Sequence, residues 1–119
     1  MVMLHRTPVY KILNAEDWQT AKQLGFTKTA LDEGDGYVHL STRAQVAETL
    51  ALHYPGQEHV RLLEYIVEEM DGRIKWEESR GGDKFPHLYS TLRIDGATRV
   101  WELALGEDGV PQLPDDIDR

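Results

Sequence analysis

Two histidines stand in similar segments of the chain, YVHLST at 37–42 and FPHLYST at 85–91. Side chains alternate between the two faces of a strand, so the first segment places Tyr37, His39 and Ser41 on one face. An imidazole donates and accepts hydrogen bonds and titrates near neutral pH, which suits it to bind a ribose hydroxyl or to transfer a proton. The competing interpretation is a half-buried histidine held by a neighbouring carbonyl.

The second segment repeats this arrangement. His87 lies between Phe85 and Tyr89 on one alternating face, and Pro86 fits at the start or the edge of a strand, where its missing N–H is harmless. Because aromatic and hydroxyl residues surround both histidines, we predict that His39 and His87 face one cleft as its catalytic groups.

The residues around the two histidines supply further candidate contacts. Glu77 is a candidate general base, Trp76 a candidate wall of the cleft, and Arg80, beside two glycines, a candidate phosphate contact. Each also has an ordinary interpretation, as a solvated charge or a core aromatic. The predicted ligand-binding set is Ser41, Thr42, Trp76, Glu77, Arg80 and Tyr89.

Several classes of chemistry lack their sequence signals. The chain has no cysteine, which excludes disulfides, thiolate catalysis and sulfur-ligated metals. No G-x-S-x-G turn surrounds Ser41, which disfavours a serine hydrolase. The five histidines show no spacing typical of metal ligands, and no metal site is predicted.

Length and charge restrict the class of protein. The 119 residues predict a single domain, 1–119, with an irregular acidic tail from about residue 106. The formal net charge of -8 and the scattered basic residues disfavour non-specific binding to nucleic acid. No apolar run approaches the length of a membrane span, so we expect a cytoplasmic protein without membrane contacts.

The periodicity predicts an α+β fold with mainly antiparallel strands. Helices are predicted at 15–24, capped by Asn14, and at 43–54, capped by Thr42. The segment 26–36 has room for one turn of helix, but Gly34 and Gly36 indicate a loop, and the pair at 71–72 indicates a hairpin turn. Strands are predicted at 9–14, 37–41, 60–70, 73–79, 85–94 and 98–105.

Two long segments carry a family resemblance. GYVHLSTRAQVAETLALHYPG at 36–56 and KWEESRGGDKFPHLYSTL at 75–92 together resemble the small bacterial proteins grouped as domain of unknown function 952. The resemblance covers about residues 9–110. It implies an ADP-ribosyltransferase-like fold, with two small sheets, a cleft between them and two or three short helices.

The same resemblance implies a ligand class. In such transferases an early strand carries a His or Arg that binds the nicotinamide-side ribose of NAD, and His39 matches that position in kind. Tyr65 or Tyr89 would be the stacking aromatic, whereas a catalytic glutamate has no clear counterpart. The implied function is binding of NAD, an ADP-ribosyl group or a related nucleotide, with NAD as substrate and ADP-ribosyl or glycosyl transfer as the chemistry. The alternative is a non-catalytic binding or protein-interaction module with structural histidines.

Overall fold

The computed structural model describes residues 6–70 and 72–119, apart from the side chain of Arg80. The chain forms an α+β fold with two small antiparallel sheets and three α-helices, as predicted. The helices are α1 (Ala15–Leu24), α2 (Ala30–Asp35) and α3 (Arg43–His53). The strands are β1 (Pro8–Leu13), β2 (Val38–His39), β3 (Ser41–Thr42), β4 (Val60–Ile66), β5 (Ile74–Glu78), β6 (Lys84–Leu88) and β7 (Arg99–Leu103).

The larger sheet has the strand order β3-β1-β4-β7, and the smaller one has the order β2-β6-β5. Strand β1 is buried on both faces. One face, with Val9 and Leu13, packs against α1 and the smaller sheet. The other face packs against α3, whose Val46 and Leu50 lie one turn apart on a single stripe. The apolar layer that contains Val9 and Leu13 therefore joins the two sheets.

The helix caps follow the sequence signals. Asn14 accepts a hydrogen bond from the N–H of Asp17 at 2.7 Å, and Gly25 ends α1 in the left-handed conformation. Thr42 and Gln45 form the predicted capping box at the start of α3. The prediction of a loop at Gly34 is wrong, because this residue lies inside α2.

Helix α2 tolerates its internal glycine because both of its ends are capped. The hydroxyl of Thr29 accepts a hydrogen bond from the N–H of Asp32 at 3.1 Å. Gly36 ends the helix with a φ of 82°, a conformation that costs glycine little. The helix thereby presents Asp32 and Asp35 toward the strand that follows.

The predicted strand at 37–41 is divided between the two sheets. Val38 and His39 pair with β6 in the smaller sheet, whereas Ser41 pairs with β1 in the larger sheet. Leu40 is the single residue between them, and its N–H donates to the carbonyl of Pro86 at 3.1 Å. This crossover places an imidazole and a hydroxyl from one short segment on two sheets.

The predicted hairpin at 71–72 is wrong. Strand β4 pairs with β1 and β7, whereas β5 pairs with β6 in the other sheet. Gly72 therefore lies in a connection between the sheets, and Asp71 is outside the described residues. A local turn signal favours a hairpin but does not decide which strands pair.

The segment after residue 105 has no helix or long strand, but it is well anchored. Arg43 binds the carboxylate of Asp118 through two hydrogen bonds of 2.7 and 3.0 Å. Ile117 is buried against the α3 side of the larger sheet. No helix in residues 6–70 and 72–119 has the length and apolarity needed to cross a membrane.

Candidate functional site

His39 and His87 face each other across the neighbouring strands β2 and β6. They are direct partners in the register of β2 and β6, and their ring centroids lie 5.5 Å apart. Tyr37 covers this pair, with its ring centroid 4.1 Å from that of His87 and 4.6 Å from that of His39. Because side chains alternate along a strand, all three rings lie on one face of the smaller sheet.

The imidazole of His39 lies between two carboxylates of α2. Its Nδ1 is 2.7 Å from Oδ1 of Asp32, and its Nε2 is 2.9 Å from Oδ2 of Asp35. The contact with Asp32 has hydrogen-bond geometry, whereas the contact with Asp35 is a close approach of a carboxylate oxygen to Nε2. The ring of His39 is therefore held between two carboxylates.

Lys11, a buried lysine, holds Asp32 and His39 in this arrangement. Nζ of Lys11 lies 2.7 Å from Oδ2 of Asp32 and donates to the backbone carbonyl of His39 at 3.2 Å. The Lys11 and Asp32 side chains are only 5% and 8% exposed. The pair thus fixes both the backbone and the ring of His39.

The charges of this pair follow from its surroundings. Burial alone would raise the pKa of Asp32, but the hydrogen bond from His39 and the Lys11 ammonium outweigh burial and hold this pKa at about 2. Burial lowers the pKa of Lys11, and the Asp32 carboxylate opposes that effect. Asp32 is therefore an anion at neutral pH and a fixed acceptor for Nδ1 of His39.

The second imidazole has its own carboxylate. Nδ1 of His87 is 2.9 Å from Oε1 of Glu77, which also accepts the hydroxyl proton of Tyr89 at 2.7 Å. These hydrogen bonds, first from Tyr89 and then from His87, lower the pKa of Glu77. The Glu77 carboxylate in turn raises the pKa of Tyr89 to about 12. Among the described groups, which exclude the side chain of Arg80, no hydrogen bond engages Nε2 of His87.

Both histidines line a cavity of about 650 Å³. This volume is in the range of small-molecule sites. Its wall combines aromatic, hydroxyl and acidic groups, and the side chain of His87 is only 3% exposed. Among the lining residues are Tyr10, Asp17, Ser41, Tyr54, Ser79 and Phe85.

The predicted ligand-binding residues fall into two groups: some lie near the histidine pair, and the others do not. Ser41 lines the cavity. Glu77 bonds to both His87 and Tyr89 and so lies beside the histidine pair with Tyr89, but neither Glu77 nor Tyr89 lines the cavity.

The other three predicted contacts have different placements. Thr42 uses its hydroxyl and N–H in the capping box of α3 and does not line this cavity. Trp76 pairs with Pro86, so it lies on the face of the smaller sheet opposite His87, and it is 44% exposed. The side chain of Arg80 is outside the described part of the structure.

Sequence reasoning missed Lys11, Asp32 and Asp35. One signal for Lys11 was present, because a lysine in the middle of the apolar segment VYKIL cannot face water if both faces of the strand are covered. The acidic partners had no such signal. They lie in a segment whose glycines indicated a loop, and their contact with His39 depends on the turn at Gly36.

The assembled site can bind and polarise a ligand. Both imidazoles are oriented through Nδ1 by a carboxylate, and His87 turns Nε2 away from its support, whereas Nε2 of His39 lies 2.9 Å from Asp35. A nitrogen such as Nε2 of His87 can bind an oxygen atom of a ligand or exchange a proton with it. The hydroxyl and aromatic residues of the wall suit a sugar and a planar ring.

Comparison with known proteins places the chain in a family. Residues 12–100 match the family described as protein of unknown function (DUF952). The crystal structure of protein CC0527 from Caulobacter crescentus is 44% identical, with a TM-score of 0.82 over 89% of this chain and 94% of that one. The solution NMR structure of CC0527 is also 44% identical, with a TM-score of 0.80 over 93% of this chain and 97% of that one. No curated protein gave a significant match. The chain belongs to the DUF952 family of proteins of unknown function.

Proposed function

We propose that the cavity beside His39 and His87 binds NAD, an ADP-ribosyl group or a related nucleotide. The observation that carries this proposal is the meeting of two carboxylate-oriented imidazoles, 5.5 Å apart, at a cavity of about 650 Å³. Groups of this kind at one cavity are typical of ligand sites rather than of a sheet interior.

The contacts divide by chemistry. His39 and Ser41 would hold a ribose hydroxyl, because both line the cavity and can hydrogen-bond to oxygen. His87 would act through Nε2 as the electrostatic or acid–base group, with Glu77 orienting its ring through Nδ1. Tyr89 and Tyr37, whose ring centroids are 5.2 Å apart, would border the site for a planar ring.

The arrangement of the sheets supports this ligand class. An ADP-ribosyltransferase-like fold would have two small sheets with a cleft between them, and this chain has a four-stranded and a three-stranded sheet joined at the site. Glu77, which is already engaged by Tyr89 and His87, is the one glutamate bonded to the histidine pair in the described part of the chain. We therefore propose that this site binds the ligand, and a transfer reaction at the same site would need its own demonstration.

Calorimetry tests the proposal directly. NAD and ADP-ribose are titrated into the wild type, His39→Asn and His87→Asn. His59→Asn is the matched control, because its imidazole is exposed and binds Glu102 outside the cavity. We expect the wild type and the control to bind equally and the two site variants to bind at least about tenfold more weakly. Absence of wild-type binding at millimolar ligand would reject the proposal.

A second candidate is a non-catalytic module whose histidines brace the sheets. It is favoured by the hydrogen bonds from both imidazoles to carboxylates and by the deep burial of His87. In that case His39→Asn and His87→Asn would lower the melting temperature, and no nucleotide would raise that of the wild type. A thermal shift of the wild type with NAD or ADP-ribose distinguishes the two functions.

A further inference from the structure

The cavity beside the histidine pair runs along one edge of strand β1. Three consecutive residues, Tyr10, Lys11 and Ile12, line it. Successive side chains of a strand point to opposite faces, so a cavity lined by three neighbours also meets the edge of the strand. Strand β3 covers this edge as far as Tyr10, which pairs with Ser41. The cavity therefore begins where β1 loses its neighbour.

The backbone hydrogen bonds show which groups of β1 face that edge. In an antiparallel pair, alternate residues direct both N–H and C=O to the same neighbour. The carbonyl of Thr7 accepts a hydrogen bond from the N–H of Val67 at 2.9 Å, so the odd-numbered residues of β1 bond toward β4. Glu64 stands opposite an even-numbered residue, and its carbonyl instead accepts from Thr98, on the far side of β4, at 2.8 Å. The N–H and carbonyl of Ile12 therefore point away from β4, toward the edge that the cavity borders.

His39 would stand opposite Ile12 if the pairing of β3 with β1 continued. Its backbone is engaged elsewhere, because its N–H donates to Asp32 at 3.1 Å and its carbonyl accepts from Lys11 at 3.2 Å. Among the described groups, which exclude the side chain of Arg80, no hydrogen bond outside the strand ladders reaches the backbone of Ile12. Ile12 is only 7% exposed. Since buried backbone groups are almost always paired, this N–H and carbonyl indicate a partner inside the cavity.

We infer that the N–H and carbonyl of Ile12 form a two-point site for an amide-type edge of the ligand, a planar group with a donor and an acceptor side by side. Such an edge pairs with both backbone groups at once, as a residue of a neighbouring strand would. The nature of the ligand rests on the proposed function, and two parts of NAD carry this edge: the carboxamide of nicotinamide, and the amino group of adenine beside a ring nitrogen. Tyr54 and Phe85 line the same cavity and supply aromatic walls for a planar ring.

Two pairs of ligands test the two-point site by calorimetry. NAD is compared with its 3-acetylpyridine analogue, and ADP-ribose with its purine analogue. The second member of each pair lacks the amino group and keeps the acceptor, so it leaves the carbonyl of Ile12 unpaired. We expect the analogue of one pair to bind at least about tenfold more weakly, and that pair identifies which edge is bound. Equal binding within each pair, when NAD or ADP-ribose binds, overturns the inference and leaves the proposed function standing.

A second measurement follows the backbone of Ile12 itself, since no side-chain replacement removes its carbonyl. In the ligand-free protein, NMR should show exchange with solvent at least about tenfold faster at the Ile12 amide than at those of Lys11 and Leu13, which bond to β4. Equal protection of the three amides overturns the inference. If neither NAD nor ADP-ribose binds, the proposed function fails and the Ile12 amide resonance decides. A shift with millimolar nicotinamide or adenosine supports the two-point site, and no shift with either overturns it.

Discussion

Replacing Lys11 with Met tests whether the buried ion pair supports the site and the fold together. The variant loses the 2.7 Å contact with Asp32 and the 3.2 Å contact with the carbonyl of His39, and leaves a carboxylate that is 8% exposed. Removing one partner of a buried pair costs about 3–5 kcal/mol. Because Asp32 still accepts two hydrogen bonds, from the backbone N–H and from the ring of His39, we expect the lower end, about 3 kcal/mol. That is a large part of the roughly 5–15 kcal/mol of a typical domain.

A double-mutant cycle isolates the pair. Unfolding in urea is followed by tryptophan fluorescence for Lys11→Met, Asp32→Asn and the double variant. We expect the double variant to be at least about 1 kcal/mol more stable than the sum of the single losses predicts, since neither charge remains unpaired. The control cycle uses Lys28→Met and Glu33→Gln, an exposed pair at 3.9 Å, with an expected coupling below about 0.5 kcal/mol. Equal coupling in the two cycles would refute the assignment of Lys11 as a structural support of His39.

Three further predictions follow from the same structure. The pKa of Asp32 is about 2 in the folded protein against 3.8 ordinarily, so its stabilisation is complete above about pH 3.8 and is lost as the pH falls toward 2. When the pH is lowered from 4 to 2, the free energy of unfolding measured in urea should therefore fall by about 2 kcal/mol more for the wild type than for Asp32→Asn. Equal losses in the two proteins would contradict this. Thr42→Ala should lose about 1 kcal/mol of stability through the helix cap without changing ADP-ribose affinity; weaker binding would restore Thr42 as a ligand contact. Gly36→Ala should lower the free energy of unfolding by about 1 kcal/mol, and with it the melting temperature, because φ at this position is 82°. Gly34→Ala, inside the same helix, should raise the melting temperature. The opposite order would exclude the assigned helix end.

The sequence predicts the histidine pair because its signal is local and repeated. Alternation alone places each imidazole on a face with aromatic neighbours, and the structure brings His39 and His87 into direct register. Alternation also identifies the opposite faces of Trp76 and Glu77, but it does not say which face borders a cavity. That depends on strand pairing, which joins β5 to β6 rather than to β4.

The carboxylates around His39 were unpredictable for a different reason. Asp32 meets Lys11 across 21 residues and His39 across 7, and each contact needs α2 to form despite Gly34. The cost of an internal glycine, about 1 kcal/mol, is offset by the caps at Thr29 and Gly36. A propensity argument weighs the glycine without the tertiary contacts that stabilise the helix.

The crossover at Leu40 gives the two sheets a common mechanical link. The imidazole at 39 moves with one sheet and the hydroxyl at 41 with the other, so any rotation of the sheets changes the separation of these two groups. A ligand bound to both His39 and Ser41 would resist such rotation. When the ligand binds, hydrogen–deuterium exchange at the Leu40 amide, which bonds to the carbonyl of Pro86, should therefore slow. This change would detect binding without a label on the ligand.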